Sequence, residues 1–252
     1  MQHGASRSKR ANSEPHDGSR GKRKFVEQRE QEVKLNPIKP LNQKQRSYIE
    51  LLESRTVVVA TGYAGTSKTF IPTSIAADML RTDKIDKIIF CRPAISNSKT
   101  LGLFSGDKTE KMEVWLSPVI QILRDRLGVG GLEVALKRED IVYQPLETVK
   151  GSSFNNAWII VDEAEDLTVD EVKKLITRIG KQSKMIFAGD ITQSELKGAS
   201  GLKWLMEFNE RHQLGEHFGF VDFNNTNDIV RSEAVKRFII CLERDNRNEN
   251  KN

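Results

Sequence analysis

Eight consecutive residues, Gly62-Tyr63-Ala64-Gly65-Thr66-Ser67-Lys68-Thr69, place two glycines, a lysine and a hydroxyl in the order that binds a polyphosphate. Small residues let backbone N–H groups close around phosphate oxygens, and the N-terminus of a following helix adds positive potential. On this reading Gly62, Ala64, Gly65, Thr66, Ser67, Lys68 and Thr69 surround the phosphates of ATP. Lys68 would reach the β- and γ-phosphates, and the Thr69 hydroxyl would ligate Mg²⁺. The usual pattern is G-x-x-x-x-G-K-[ST], so Ser67 stands where a glycine is expected. Its Cβ would crowd the phosphates, or its hydroxyl would add a donor. The plainer alternative is an ordinary Gly-rich turn, but Lys68-Thr69 and the strand–turn–helix context both fit phosphate binding.

A second group is Trp158-Ile159-Ile160-Val161 running into Asp162-Glu163. Four apolar residues put Asp162 at the tip of a buried strand, where its carboxylate would hold the Mg²⁺ shell. Glu163 would orient or deprotonate the attacking water. Alone this pattern is common; paired with a phosphate loop upstream it becomes specific. A third group is Gly189-Asp190-Ile191-Thr192-Gln193 after the apolar run at 185–188. The Gln193 amide would touch the γ-phosphate or the water and so distinguish ATP from ADP. The alternative is a polar loop.

These residues need elements to carry them. Helical periodicity is expected over 41–52, 70–80, 113–127, 169–179, 202–209 and 232–242. Short β-branched or apolar runs predict strands over 56–61, 87–92, 141–143, 158–161, 185–188 and 218–221. Strands alternating with helices predict an α/β fold with a mainly parallel, doubly wound sheet. Ligands in such sheets sit at the carboxyl ends of the strands, which is where the three groups fall.

The ordered set of motifs resembles the PhoH family. It includes the loop at 62–69, Arg92-Pro93-Ala94, Leu101-Gly102, Gly106-Asp107, Glu110-Lys111, Asp162-Glu163-Ala164, the stretch 175–180, the stretch 189–193 and Asp228-Ile229-Val230-Arg231. The likeness runs from about residue 38 to 242 and is closest to short, single-domain forms common in bacteriophages. It implies a RecA-like P-loop NTPase core related to the ATPase half of superfamily-1 helicases. RNA binding or remodelling is the implied activity, with a homo-oligomer, a hexameric ring being one form, as the implied assembly. In the resemblance Gln45 matches a glutamine that reads adenine. Lys68 and Thr69 match the Walker-A pair, Asp162 and Glu163 the Walker-B pair, Gln193 the polar sensor, and Arg231 an arginine finger. Glu165 stands where the family more often has Gln, so no role is carried over to it.

Charge divides the chain unevenly. Of a formal +5, residues 1–36 hold +4, from nine basic and five acidic side chains, which leaves a nearly neutral body. Residues 1–36 read as a disordered basic tail, 37–242 as the ATPase domain and 243–252 as a polar tail. The basic tail fits salt-dependent attraction to RNA or single-stranded nucleic acid; a solubilising arm is the alternative. Arg92, with Lys99 and Lys150, is a candidate phosphate contact for that nucleic acid, or Arg92 pairs with a carboxylate of the body. No apolar run reaches the roughly 20 residues that span a bilayer, and no secretory leader is visible. A cytoplasmic protein is expected, in the host cell if phage-encoded. Cys91 and Cys241 cannot build a disulfide framework and read as packed core thiols, and Trp115, Trp158 and Trp204 read as core. About 216 residues beyond the tail hold one RecA-like core where a superfamily-1 helicase uses two. A neighbouring subunit would therefore supply the second face, with Arg231 as its finger. A nucleotide-dependent switch or scaffold with little hydrolysis, suggested by Ser67, is the second reading.

Overall fold

The computed structural model describes residues 37–93, 108–146, 149, 153–194, 196 and 198–249. Helix α1 (Gln43–Ser54) starts where the Asn42 side chain accepts from Gln45 N and caps a free N–H. There follow β1 (Val57–Gly62), α2 (Phe70–Arg81), β2 (Lys87–Cys91), α3 (Lys108–Lys137), β3 (Ile141–Tyr143) and β4 (Ala157–Val161). The chain continues through α4 (Val169–Ile176), β5 (Lys184–Ala188), α5 (Gly201–His212), β6 (Phe218–Phe223) and α6 (Glu233–Glu249). Single 3₁₀ turns at Ala164–Asp166, Ile191–Gln193 and Thr226–Asp228 follow β4, β5 and β6.

The six strands form one parallel sheet in the order β3-β2-β4-β5-β1-β6. Parallel neighbours need long crossovers, and the helices provide them. The central strands are buried on both faces because helices cover both. Tyr48, Val58, Ile88, Phe90, Ile160, Ile186 and Phe223 meet residues of α1, α2 and α3 on one side. Val59, Ile89, Ile159, Val161 and Phe187 meet Val172, Leu175, Leu202 and Leu205 of α4 and α5 on the other. Edge strand β6 alternates half-buried with buried positions. The protein is thus a three-layer α/β structure with a RecA-like P-loop NTPase core, as expected.

Spatial order adds what chain order does not contain. In sequence, β2 and β3 lie between the loop strand β1 and the acid strand β4. In space β5 lies between them, so the three candidate motifs occupy adjacent strand ends. The expected helix over 113–127 stops at a real break, Gly128, whose φ of 72° interrupts α3. Beyond it Leu132, Ala135 and Leu136 are buried; glycines at 128, 130 and 131 hide that apolar stripe from a periodicity reading. Strand β6 runs two residues past the expected 218–221, pairing Asp222 with Thr61 and Phe223 with Gly62. Helix α6 continues through the stretch expected to be a polar tail, because its Glu, Arg and Asn run lacks Gly and Pro. Cys91 is buried, and burial pushes its thiol up to about 12. Cys241 lies exposed on α6, contrary to the expected core position. Trp158 is buried and Trp204 half-buried against Phe208; the Trp115 side chain lies outside the described residues, as does the expected tail at 1–36. Among the described residues no helix is long and apolar enough to cross a membrane.

Helix α4 hangs from a capping box that leads out of the acid turn. Thr168 Oγ1 accepts from Glu171 N at 3.3 Å, and Glu171 Oε2 accepts from Thr168 N at 2.8 Å. Thr168→Ala removes one half of it and is expected to cost about 1 kcal/mol. Urea unfolding would register this as a lower midpoint with an unchanged slope.

Candidate active site

The phosphate loop begins where β1 ends. Gly62 has φ 113°, and a Cβ there would lie 2.3 Å from the Phe223 carbonyl oxygen, so only glycine fits. Gly65 (φ 76°) is the second forced turn. The loop is held from beneath by buried polar groups. Thr66 Oγ1 donates to Tyr63 O at 2.9 Å, and the Tyr48 hydroxyl donates to Lys68 O at 2.9 Å. Burial, with Asp162 second, pushes that phenol well above its ordinary range, so it stays a neutral donor. Gln45 is buried under the same loop. Its Nε2 donates to Thr66 O at 3.4 Å and its Oε1 accepts from Leu41 N at 2.9 Å. The structure therefore brings Gln45 to the loop, where both ends of its amide are already engaged.

Ser67 adopts φ 74°, the left-handed region where a glycine is at home. An L-residue there costs roughly 1–2 kcal/mol. Lys68 Nζ donates back to the carbonyls of Gly62 and Tyr63 at 2.5 and 2.7 Å, folding across its own loop. Burial lowers its pKa, against the upward pull of Asp190, Glu165, Asp162 and Glu163. Thr69 Oγ1 donates to Asp162 Oδ1 at 2.7 Å, joining the loop after β1 to the tip of β4.

At that tip Arg92 is committed. Its Nη2 lies 3.1 Å from Asp162 Oδ2 and 3.0 Å from Glu163 Oε1. Of the two readings of Arg92, the structure places it on body carboxylates. Lys99 and Lys150 lie outside the described residues. Glu163 itself is left-handed (φ 52°), which turns its side chain toward the loop's cleft. Gln193, the expected sensor, donates from Nε2 to Asp190 Oδ2 at 2.8 Å, and Asp190 Oδ1 accepts from Thr192 N and Oγ1. These groups surround one cleft of about 720 Å³, within the usual range for small-molecule sites. Exposed Leu41 and Phe70 also line it.

Two placements were not legible in the sequence. The first is Arg231. Val230 N donates to Gly65 O at 3.0 Å, and the Arg231 stem lies over Gly65, 2.9 Å from where a Cβ would be. Arg231 thus lines the cleft of its own chain. The expectation was an arginine delivered from a neighbouring subunit; among the described residues Arg231 stands at the cleft of its own chain. The reason is topological: β6 pairs beside β1, and the Asn225–Asp228 capping box returns the chain to the loop. The second is Glu165, to which no role had been given. It is buried at the cleft wall and accepts from Asp190 N at 3.0 Å. Its signal was the unusual acid pair in Asp162-Glu163-Ala164-Glu165.

The donor chemistry fits Mg²⁺. Among the described residues no cluster of three or more His, Cys, Asp or Glu could hold a metal alone. Mg²⁺ characteristically takes one or two protein oxygens and completes its shell with water and substrate phosphates. Thr69 and Asp162 are such a pair.

A family model described as PhoH-like protein matches residues 37–243. This chain belongs to the PhoH family. Protein PhoH of Escherichia coli K12 is 35% identical over 206 residues, covering 80% of this chain and 57% of the relative. PhoH-like proteins of Synechocystis and Bacillus subtilis are each 33% identical, covering 80% of this chain and 61% and 63% of theirs. The chain therefore spans less than two thirds of these PhoH relatives' length. Among solved structures, the UvsW helicase of bacteriophage T4 is similar at a TM-score of 0.43 and 14% identity, covering 80% of this chain and 67% of that one. The Phi-28 gp11 DNA packaging motor is similar at 0.44 and 13%, covering 80% and 65%. Family membership and the loop and acid geometry above point to a P-loop NTPase type of core.

The left-handed Ser67 yields a direct test. Ser67→Gly removes the steric penalty while adding some unfolded-state entropy, a net stabilisation of about 0.5–1 kcal/mol. Thermal unfolding should move up by about 1–4 °C.

Proposed function

We propose that the protein binds and hydrolyses ATP and acts on RNA or single-stranded nucleic acid as an oligomeric, helicase-like or remodelling ATPase. The observation that carries the catalytic part is the 2.7 Å contact of Thr69 with Asp162, with Glu163 and Gln193 on the same cleft. Backbone N–H groups of residues 62–69 receive the phosphates, and Lys68 exchanges its two loop carbonyls for phosphate oxygens. Thr69 and Asp162 would hold Mg²⁺, which would neutralise phosphate charge there. Glu163 accepts the proton of the attacking water, and Gln193 orients that water. Arg231 supplies positive charge to the transferring phosphoryl group from within the same subunit.

The nucleic-acid and assembly parts rest on other observations. The +4 carried by residues 1–36 is the charge that would meet phosphates, and the PhoH resemblance points to RNA and to a homo-oligomer. A second reading, a nucleotide-dependent switch with little hydrolysis, draws on Arg92. Its guanidinium bridges both acids that a working site must free.

Steady-state assays separate the two. Wild type with Mg²⁺ is expected to turn over ATP, faster with RNA, and to stop in EDTA. Lys68→Ala should lose nucleotide affinity as well as turnover. Glu163→Gln should keep affinity and lose about 10²–10⁴ in kcat. ATP binding without turnover would favour the switch, and no binding at all would sink both. Arg231→Ala is expected to lose about 10³ in kcat. Mixing it with Glu163→Gln should restore nothing, because both residues serve one subunit's site; recovery in mixed oligomers would return Arg231 to a neighbour.

A further inference from the structure

The groups that do the proposed chemistry sit on separate turns, and something must hold those turns in one geometry. Glu163 is on the turn after β4 and Gln193 on the turn after β5. The two strands are paired up to Val161 and Phe187, where the regular ladder stops. Past that point Glu165 makes two of the described hydrogen bonds between the turns, and Ser194 Oγ also reaches Asp166 Oδ1 at 3.3 Å. Glu165 Oε2 accepts from Asp190 N at 3.0 Å, and its own carbonyl accepts from Ser194 Oγ at 3.0 Å. Glu165 therefore grips the 3₁₀ turn at 191–193 on both sides. The close approach is built in: a Cβ on Gly189 would lie 2.3 Å from Glu165 Oε2 and 2.7 Å from Glu165 N.

The same carboxyl faces the other way as well. It shares a side-chain hydrogen bond with Glu163. Two carboxyls can share a hydrogen bond only if one carries a proton, and burial identifies which. Glu165 is buried, whereas the Glu163 side chain is 46% exposed. Burial first, then the Glu163 bond and charge, push Glu165 up to about 8, against the two backbone N–H bonds that pull it down. The other charged groups facing this pocket are Lys68, Asp162, Asp190, Arg92 and Arg231. Glu165 Oε2 accepts from Asp190 N at 3.0 Å, and a proton kept on its carboxyl would complete the bond to Glu163. Glu163 is thus held from two sides, by Glu165 and by the Arg92 guanidinium at 3.0 Å.

We propose that Glu165 is a positioning residue that fixes Glu163 and ties it, through the Asp190 backbone and the Asp190–Gln193 hydrogen bond, to the sensor turn. The inference rests on the proposed hydrolytic reading, since it gives Glu165 its task by giving Glu163 the proton. It assigns no contact between Glu165 and nucleotide, so its loss should leave binding alone. An amide at this position reproduces the pattern, its oxygen accepting from Asp190 N and its NH₂ donating to Glu163. A methyl group reproduces neither.

The test compares wild type, Glu165→Ala and Glu165→Gln by nucleotide Kd and by kcat with Mg·ATP. Glu165→Ala is expected to lower kcat by about 10–100-fold with Kd within about 3-fold, the signature of an interaction needed in the transition state alone. Glu165→Gln should recover kcat to within about 3-fold of wild type. Glu165→Ala and Gln193→Ala should be less than multiplicative when combined, because they break one linkage. Should Glu165→Ala fail to fold, Ser194→Ala, which removes the hydroxyl that donates to the Glu165 carbonyl, is expected to lower kcat with Kd unchanged. Unchanged kcat in Glu165→Ala, a loss of affinity matching any loss of kcat, or equal defects in the Ala and Gln variants would each overturn the proposal. An inert wild type would instead overturn the hydrolytic reading and this inference with it.

Discussion

Strands β1 and β4 are separated by β5, which places their ends roughly 9–10 Å apart, two strand spacings. That separation is the constraint on which the site depends. It leaves a gap at the carboxyl edge of the sheet wide enough for a polyphosphate, and it must be bridged without being filled. Thr69 bridges it. As the last residue before α2 it leans across the end of β5, and its hydroxyl meets Asp162 at 2.7 Å. Everything else is arranged about this contact. Gly62 lets β1 turn sharply against β6, Tyr48 pins the lysine carbonyl from below, and Gly189 thins the end of β5 so that the acid turn can lie over it.

The bridge gathers charge that has to be balanced. Asp162, Glu163, Glu165 and Asp190 share one cleft with Lys68, Arg92 and Arg231. Lys68 is paired with loop carbonyls and Arg92 with two carboxylates, while the Arg231 stem lies over Gly65. Glu165 meets the imbalance differently, by keeping its proton. A polyphosphate with Mg²⁺ changes the balance in both directions, since it brings anionic oxygens to Lys68 and a cation to Asp162. The pairs at Lys68 and Arg92 are then competitors of the ligand. The Arg92 pair is partly exposed, so it is exchangeable at modest cost, as expected of an ion pair that water can reach.

What was readable in the sequence followed from local rules. The Gly62–Thr69 chemistry, the acids after an apolar run and the alternation of strand with helix each depend on residues close in the chain. Their positions at successive strand ends then follow from the parallel sheet. Three features depend instead on which strands become neighbours. Arg231 falls in its own subunit's cleft because β6 pairs with β1, a fact no spacing contains. Arg92 finds Asp162 and Glu163 because β2 pairs with β4. Glu165 matters because β5 lies beside β4, so that Gly189 and Asp190 pass under it. The second half of α3 was missed for a local reason: three glycines in four residues mask a buried stripe.

Two left-handed residues that are not glycine, Ser67 and Glu163, sit on the two loops that Thr69 and Asp162 join. Each costs of order 1 kcal/mol, which the surroundings must offset. For Ser67 the offset comes from Tyr48, Thr66 and Gln45, which fix the loop's backbone from below. For Glu163 it comes from Arg92 and Glu165. The supports differ in kind. Those under Ser67 are buried, uncharged groups that hold the loop's backbone without using the groups that face the cleft. Those of Glu163 include one charged partner, Arg92, whose pairing a bound cation would weaken, and one neutral partner, Glu165, whose pairing it would not. On the proposed hydrolytic reading Glu163 would leave Arg92 while remaining aligned with the Gln193 turn, the combination that a base acting only with nucleotide bound would need.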